Sequence, residues 1–491
     1  KEQDCNVKFR AWILESGFAD EESLLEIEKD IKRDVRNAKK EAWSEFLMPH
    51  LAHKKELVKV LRLLVESTNN KAAITSILND LIAIEEPIKK DLAVKARLAL
   101  RSLIGEETKE REILKNWFLN FMSKMQPMYS AHLYSEHEDK ATNIPAIPPT
   151  YSKDAPLVDG RLIIRDNFDQ LLEKYPEFLI FGEDSGAIGD VNQGLEGLQK
   201  KYGETRVADT GIREASIIGQ GIGMALRGLR PVAEIQYLDY MLYALQTLSD
   251  DLASLRYRTF GKQKAPLIVR TRGHRLEGIW HSGSQMGGLI HFLRGMYILT
   301  PRNMTVAAGF YNTLMKSDEP ALVIESLNGY RLKEPIPNNL SEICTPIGVV
   351  DVLKEGKDIT VLSYGSTLRI VEQVVGSLQN YDIDVELIDA QSLLPFDLNH
   401  KMLESVKKTN RLIIIDEDVP GGCAAYLMQE IIEKQGAFKY LDTPPTTLTA
   451  KAHRPAYASD GDYFSKPNAE DIFESIYNIM HESDPKAYPA I

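Results

Sequence analysis

VADTGIREASIIGQGIGMALRGLRPVAEIQ, residues 207–236, moves from a helical pattern into an extended one. Asp209 or Thr210 can cap a helix start, since their oxygens accept from the free N–H groups of a first turn. After Glu214 no charge appears until Arg227, and the small residues Ala215, Gly219 and Gly223 recur every four positions. On a helix they form one bare stripe that lets another backbone or a ligand come close. The glycines spell G-x-G-x-G, but they lie inside the helix with the wrong spacing for a dinucleotide fingerprint. The apolar run RPVAEIQ (230–236) then reads as a strand. Glu214 has two readings at this point: a first-turn acid favoured by the helix dipole, or a buried functional carboxylate.

The same alternation continues on both sides. FLIFGED (178–184), PLIVRTRG (266–273), MYILTP (296–301) and PALVIES (320–326) are short apolar runs between helical stretches. A second series holds ITVLSYG (359–365), VELIDAQ (385–391), RLIIIDE (411–417) and TTLTA (446–450), with a boundary in the Pro- and Asn-containing segment 331–345. This βα order predicts two doubly wound, mostly parallel α/β sheets. Ligands gather at the carboxyl ends of such strands, where Glu183, Gln236, His274 and Glu325 fall. Each of these could equally be a routine loop residue.

Residues 1–125 read as helices only. Leu24, Ile27, Ile31, Val35, Ala38 and Ala42 keep a helical period, with Asp20 as the cap. Further helices are expected at 51–66, 72–86, 88–104 and 108–125, stopped by Pro49, Pro87 and Gly105. The segment 126–157 carries Pro127, Pro145, Pro148, Pro149 and Pro156 without apolar periodicity, as in a linker or an arm extended across a neighbour.

The 491 residues are too many for one core. A net charge of −12 argues against nucleic acid or an anionic membrane as the main partner. Cys5, Cys344 and Cys423 are far apart, which gives no zinc framework or disulfide pattern and fits a reducing, cytoplasmic setting. No uncharged run approaches a membrane span and no signal-peptide pattern is present. The chain opens on Lys1, so it is expected to be a piece of something longer.

From about residue 158 onward the sequence resembles the beta subunit of the decarboxylating component of 2-oxo acid dehydrogenase complexes, of pyruvate or branched-chain type. These belong to the transketolase-like thiamine diphosphate superfamily. The resemblance rests on residues 181–240, RYRTFGKQKAPLIVRTRG (256–273), HSGSQMGG (281–288), PIGVVDVLKEGKDITVLSYGS (346–366), LIDAQSLLPFD (387–397) and SVKKTNRLIIIDED (405–418), in the family's order. It implies a pyrimidine-binding domain at 158–335 and a transketolase C-terminal-like domain at 345–491. KFRAWILESGFADEESLLEIEKDIKRDVRNAKKEA (8–42) resembles the closing helices of the family's alpha subunit, so residues 1–48 are read as an alpha tail and the whole as part of an alpha–beta fusion. Residues 49–150 match neither subunit; within them 49–125 are a helical region of unknown role, and 126–157 remain the linker.

By resemblance, Glu214 holds the family's D-T-x-x-x-E position and would hydrogen-bond a ring nitrogen of the cofactor's aminopyrimidine. Tyr240 aligns with an aromatic that stacks on the pyrimidine; without the alignment it would be a core tyrosine. His281, opening HSGSQMGG, aligns with a histidine near the thiazolium and substrate, suited to proton movement or oxyanion stabilisation. Glu183 aligns with an acid near the pyrimidine. The Ala215/Gly219/Gly223 stripe would suit a subunit contact. His274 and His291 have no metal spacing and read as loop or structural histidines.

Departures are Gly211 where the family has proline, a loop at HSGSQMGG that is one residue longer, and a family potassium segment, MKSDEP (315–320), with different side chains. The superfamily's G-D-G motif for diphosphate and Mg²⁺ is not found; SDGDYF (459–464) is the nearest string. Thiamine diphosphate is thus the expected cofactor, with Mg²⁺ ligands supplied by an alpha portion. The expected partners are that alpha portion, a second copy in a homodimer or heterotetramer-like assembly, and the lipoyl acyltransferase core. The expected activity is oxidative decarboxylation of a 2-oxo acid, 2-oxoisovalerate before pyruvate, with acyl transfer to a lipoyl arm, and the chain alone is expected to be inactive. The alternatives are a transketolase-type carboligase and a non-catalytic assembly fragment. A nicotinamide dehydrogenase is disfavoured because no strand–glycine-turn–helix fingerprint is present.

Overall fold

The computed structural model describes residues 3–273, 279–281 and 284–491. It forms two compact units, one ending at Ser130 and the other running from Ala131 to Ile491.

The first unit is helical: α1 (Cys5–Glu15), α2 (Glu21–Ser67), α3 (Lys71–Ala83), α4 (Lys89–Ser102) and α5 (Lys109–Met125). Asp20 caps α2 by accepting from Ser23 N at 2.8 Å. The core of this unit gathers Leu57, Leu61 and Leu64 of α2 with Leu81, Leu92, Ala96, Leu114 and Phe121. Pro49 does not stop a helix as expected; α2 runs through it for 47 residues. Leu47 and His50 are buried, whereas Pro49 is exposed, so water can serve the carbonyl that loses its N–H partner. The periodic residues Ile27, Ile31 and Val35 are exposed and reach no core.

Among the described residues the strands all lie in the second unit: β1 (Leu157–Asp159), β2 (Phe178–Gly182), β3 (Val207–Asp209), β4 (Arg230–Tyr237), β5 (Ile268–Gly273), β6 (Tyr297–Leu299), β7 (Ala321–Ser326), β8 (Lys333–Pro335), β9 (Asp351–Lys354), β10 (Ile359–Ser363), β11 (Val385–Asp389), β12 (Ser392–Leu394), β13 (Leu412–Ile415) and β14 (Thr446–Leu448). Seven form one sheet in the order β12-β6-β7-β5-β4-β2-β3, and five form another in the order β14-β13-β10-β11-β9. Within these two sheets every pairing is parallel except β12 on β6 and β9 on β11. The central strands β2, β5 and β7 are buried at every residue, as expected of a parallel sheet covered on both faces; β2 is wholly apolar, whereas β5 also buries Arg270 and Arg272. Along β2, Phe178 and Ile180 enter one core, while Leu179 and Phe181 enter the other. That second core continues through Leu362, Ile388, Ile414 and Cys423, so the two sheet domains share it. β12 belongs to the chain after β11 yet adds an edge to the seven-stranded sheet, which couples the domains further.

The segment after Ser130 lies along this unit. Buried Glu319 accepts from Ser135 N at 2.9 Å and Ala141 N at 2.7 Å, Ile147 bridges Cys344, and β1 pairs antiparallel with β8. No helix among the described residues is long and apolar enough to cross a membrane. All three cysteines are free.

Candidate active site

The parallel strands β5, β4, β2 and β3 are neighbours, and the candidate residues follow their carboxyl ends. Glu183 is the first residue after β2, Glu214 opens a helix after β3, Tyr240 follows β4, and His281 follows β5. All four are half-buried. This is where an open α/β sheet binds ligands.

Glu214 is the first residue of the helix Glu214–Leu226. The cap is Arg213, not Asp209 or Thr210 as expected. Asp209 is drawn away because it accepts from Gly186 N at 2.6 Å and Ala187 N at 2.9 Å, which ties the loop after β2 to the end of β3. Gly186 is required there, since a Cβ would stand 2.7 Å from Asp209 Oδ2. An acid in the first turn also suits the helix dipole, so both readings of Glu214 fit its place on the helix.

Glu183 is close enough to feel this carboxylate. Burial, then the charges of Asp184 and Glu214, push its carboxyl above the usual range. Tyr240 is raised too, first by burial, then by Tyr237, Glu183, Asp239 and Glu214. Its hydroxyl lies 2.8 Å from His281 Nε2, and the Tyr237 ring lies 4.7 Å from the imidazole. Two carboxyls, two phenols and an imidazole, all of them half-buried, are therefore near neighbours.

The glycine stripe is bare. A Cβ at Gly219 or Gly223 would meet nothing within 4 Å, whereas one at Gly221 would meet Leu267 at 2.7 Å. The close approach inside this unit is thus at Gly221, off the stripe.

Beneath the site lies a buried ion cluster that only partly showed in sequence. Arg270 pairs with Asp190 at 2.9 Å and Glu325 at 3.1 Å, and also with Glu234. Arg272 pairs with Asp190 at 2.9 Å and Glu234 at 3.0 Å. Tyr330 and Tyr311 complete it through Glu325. Burial pushes the Glu234 carboxyl up, and opposes that of Asp190, which its two arginines hold down. Glu325, a candidate by strand position, is wholly buried here and serves the cluster. Gln236 bonds Asp184 at 3.1 Å. The cluster holds Asp190 and so the loop that begins at Glu183.

His274 lies outside the described residues, and His291 is exposed beside Phe292. SDGDYF is part of a helix, Ala458–Ser465, not a phosphate loop. Among the described residues no group of three or more His, Cys, Asp or Glu could hold a metal ion.

Comparison with known proteins finds relatives of the α/β unit. The transketolase pyrimidine binding domain matches residues 158–333, and the transketolase C-terminal domain matches 348–472. A pyruvate dehydrogenase E1 component subunit beta from Acholeplasma laidlawii is 36% identical over 58% of this chain and 87% of its own length. A 2-oxoisovalerate dehydrogenase subunit beta from Bacillus subtilis is 30% identical over 56% of this chain and 83% of its own length. Among solved structures, a split-gene transketolase, described as an inactive beta4 tetramer, shares the fold with a TM-score of 0.52 at 16% identity, over 66% of this chain and 98% of its own. This chain belongs to the family of beta subunits of the E1 component of 2-oxo acid dehydrogenases.

Proposed function

We propose that this chain supplies the pyrimidine half of a thiamine diphosphate site for oxidative decarboxylation of a 2-oxo acid. The observation that carries the reading is the convergence of Glu214, Glu183, Tyr240 and His281 at the carboxyl ends of adjacent parallel strands. The donor set fits the aminopyrimidine end: a half-buried carboxylate on a helix N-terminus, with half-buried aromatic rings beside it. We assign this donor set no Mg²⁺ ligand. The Mg²⁺ and diphosphate contacts are assigned to an alpha portion, which residues 8–42 resemble at its closing end.

When bound, thiamine diphosphate supplies the electron sink that lets the carboxyl carbon leave. Glu214 would accept a hydrogen bond from a protonated ring nitrogen and hold that proton in place. Tyr240 would keep its own proton, since its pKa is raised. With the Tyr240 hydroxyl as donor to Nε2, the neutral imidazole of His281 carries its proton on Nδ1. That nitrogen can then donate to the 2-oxo oxygen as charge develops there. Gly219 and Gly223 offer a surface against which another subunit's backbone can pack. A second copy, the alpha portion and a lipoyl acyltransferase core are the proposed partners.

The reading is tested by joining the chain with an alpha portion and measuring turnover of 2-oxoisovalerate and pyruvate, with a free lipoyl domain as acyl acceptor. The expected result is acylation of the lipoyl domain, faster from 2-oxoisovalerate, and none from this chain alone. Faster turnover of pyruvate would overturn the substrate assignment. Activity of the chain alone would overturn the split site.

A further inference from the structure

The segment KAHRPAY (451–457) belongs to the C-terminal domain, and its arginine ends on the other sheet domain. Arg454 Nη1 donates to the carbonyl oxygen of Ile279 at 2.7 Å. The same nitrogen lies 3.9 Å from Asp239 Oδ1. Ile279 stands two residues before His281, and Asp239 stands one residue before Tyr240. One cation therefore touches both arms of the Tyr240–His281 pair: the strand-end turn that carries the phenol and the segment that carries the imidazole.

Other contacts secure the far side of that segment. Ser284 Oγ donates to Glu417 at 2.7 Å, Gln285 Nε2 donates to Asp239 at 2.7 Å, and Gly287 N donates to Asp418 at 2.8 Å. These follow His281 in the chain, whereas Arg454 acts before it. Asp239 is buried and receives Gln285 on the same oxygen that faces Arg454, so it is a shared anchor for both sides.

We infer that Arg454 is a positioning residue for the Tyr240–His281 pair, supplied across the domain boundary; the inference rests on the assignment of His281 to the reaction. Arg454 touches neither ring. Its side chain is about half exposed, so its ion pair with Asp239 is screened and contributes little to overall stability. What it fixes is the spacing of two loops. A displacement on the order of 1 Å at a reacting group is enough to slow a reaction severely.

The test uses the full chain joined with its alpha portion, and compares Arg454→Ala, Arg454→Lys and His281→Gln. In Arg454→Ala, kcat is expected to fall about tenfold, the size of one charge-assisted hydrogen bond, while KM and the melting temperature hold. Lysine keeps the charge and can still donate to Ile279 O, so Arg454→Lys is expected to recover most of the loss. A second readout needs no turnover: the Cε1–H resonance of His281 in ¹³C-histidine-labelled chain, identified by its absence in His281→Gln. It is expected to move in Arg454→Ala and to return toward its original position in Arg454→Lys. An unmoved resonance and unchanged kcat in Arg454→Ala, with His281→Gln inactive, would overturn the inference and leave the His281 assignment standing. Full activity in His281→Gln would overturn that assignment and the inference with it.

Discussion

The Tyr240 hydroxyl and His281 Nε2 stand 2.8 Å apart and join the turn after β4 to the segment after β5. The two residues are separated by 41 positions in sequence, so the bond is made by the fold and not by a local turn. It engages the Nε2 nitrogen of the imidazole. Tyr240→Phe keeps the ring and removes only the bond. Its kcat is expected to fall about tenfold while the unfolding midpoint moves little. Steady-state kinetics and a thermal melt check this, and an unchanged kcat would speak against the pair.

Arg270 sits wholly buried among Asp190, Glu234 and Glu325. Removing one partner of a buried ion cluster leaves the others unpaired in a poor dielectric. Arg270→Met is expected to destabilise the α/β unit by about 3–5 kcal/mol in urea unfolding. A loss under about 1 kcal/mol would mean that the carboxyls are reached by water.

Asp416 has its pKa pushed from 3.8 up to about 6, first by burial and then by Asp418, although Tyr364 and backbone N–H groups oppose the rise. Between about pH 4 and pH 6 the folded state thus holds a proton that the unfolded state has released. The contribution of this group to stability falls as pH rises through that window and is lowest above it. Wild type is expected to lose about 1–3 kcal/mol relative to Asp416→Asn between pH 4 and pH 7. Urea unfolding of both proteins across that range checks it, and parallel curves would contradict it.

Glu319 holds the arm after Ser130 through the N–H groups of Ser135 and Ala141 and the hydroxyl of Tyr297. Glu319→Ala leaves buried donors without an acceptor. A loss of about 2–4 kcal/mol is expected, with faster proteolysis at 131–143. Unchanged proteolysis would show that the arm is held by its other contacts.

The glycines of one helix should separate two roles. Gly221→Ala drives a Cβ into Leu267 and is expected to destabilise the chain. Gly219→Ala meets nothing, and by helix propensity it is expected to stabilise the isolated chain by up to about 1 kcal/mol. If the stripe is a subunit contact, the same change weakens assembly, which sedimentation of the joined alpha and beta parts would detect. Intact assembly in Gly219→Ala and Gly223→Ala would remove the stripe from the interface.

The parallel strands were legible because burial on both faces leaves continuous apolar runs, as in FLIFG and ALVIES. Three edge strands, β3, β9 and β12, were not. β3, VAD, offers only two apolar residues, whereas the equally short β6 and β14 lie in the longer patterned runs MYILTP and TTLTA. β12, SLL, is set by a partner, β6, more than 90 residues earlier in the chain. Pro49 misled because a proline is tolerated in a helix when its face meets water, and burial is not written locally. Glu183, Glu214, Tyr240 and His281 could be placed by motif, but their bond network could not. Asp190, Arg272 and Tyr330 carried no signal, since ion pairs between distant strands leave no spacing in sequence.

The central claim is that Glu214 holds the cofactor proton, and it is tested most directly by Glu214→Gln. The measurement is 2-oxo acid decarboxylation by the chain joined with its alpha portion, with thiamine diphosphate, Mg²⁺ and an artificial electron acceptor. The expected result is a loss of at least about a hundredfold in kcat, in the range of a removed acid–base group, with an unchanged fold by circular dichroism. Activity within about threefold of wild type, less than 1 kcal/mol of barrier, would contradict the account.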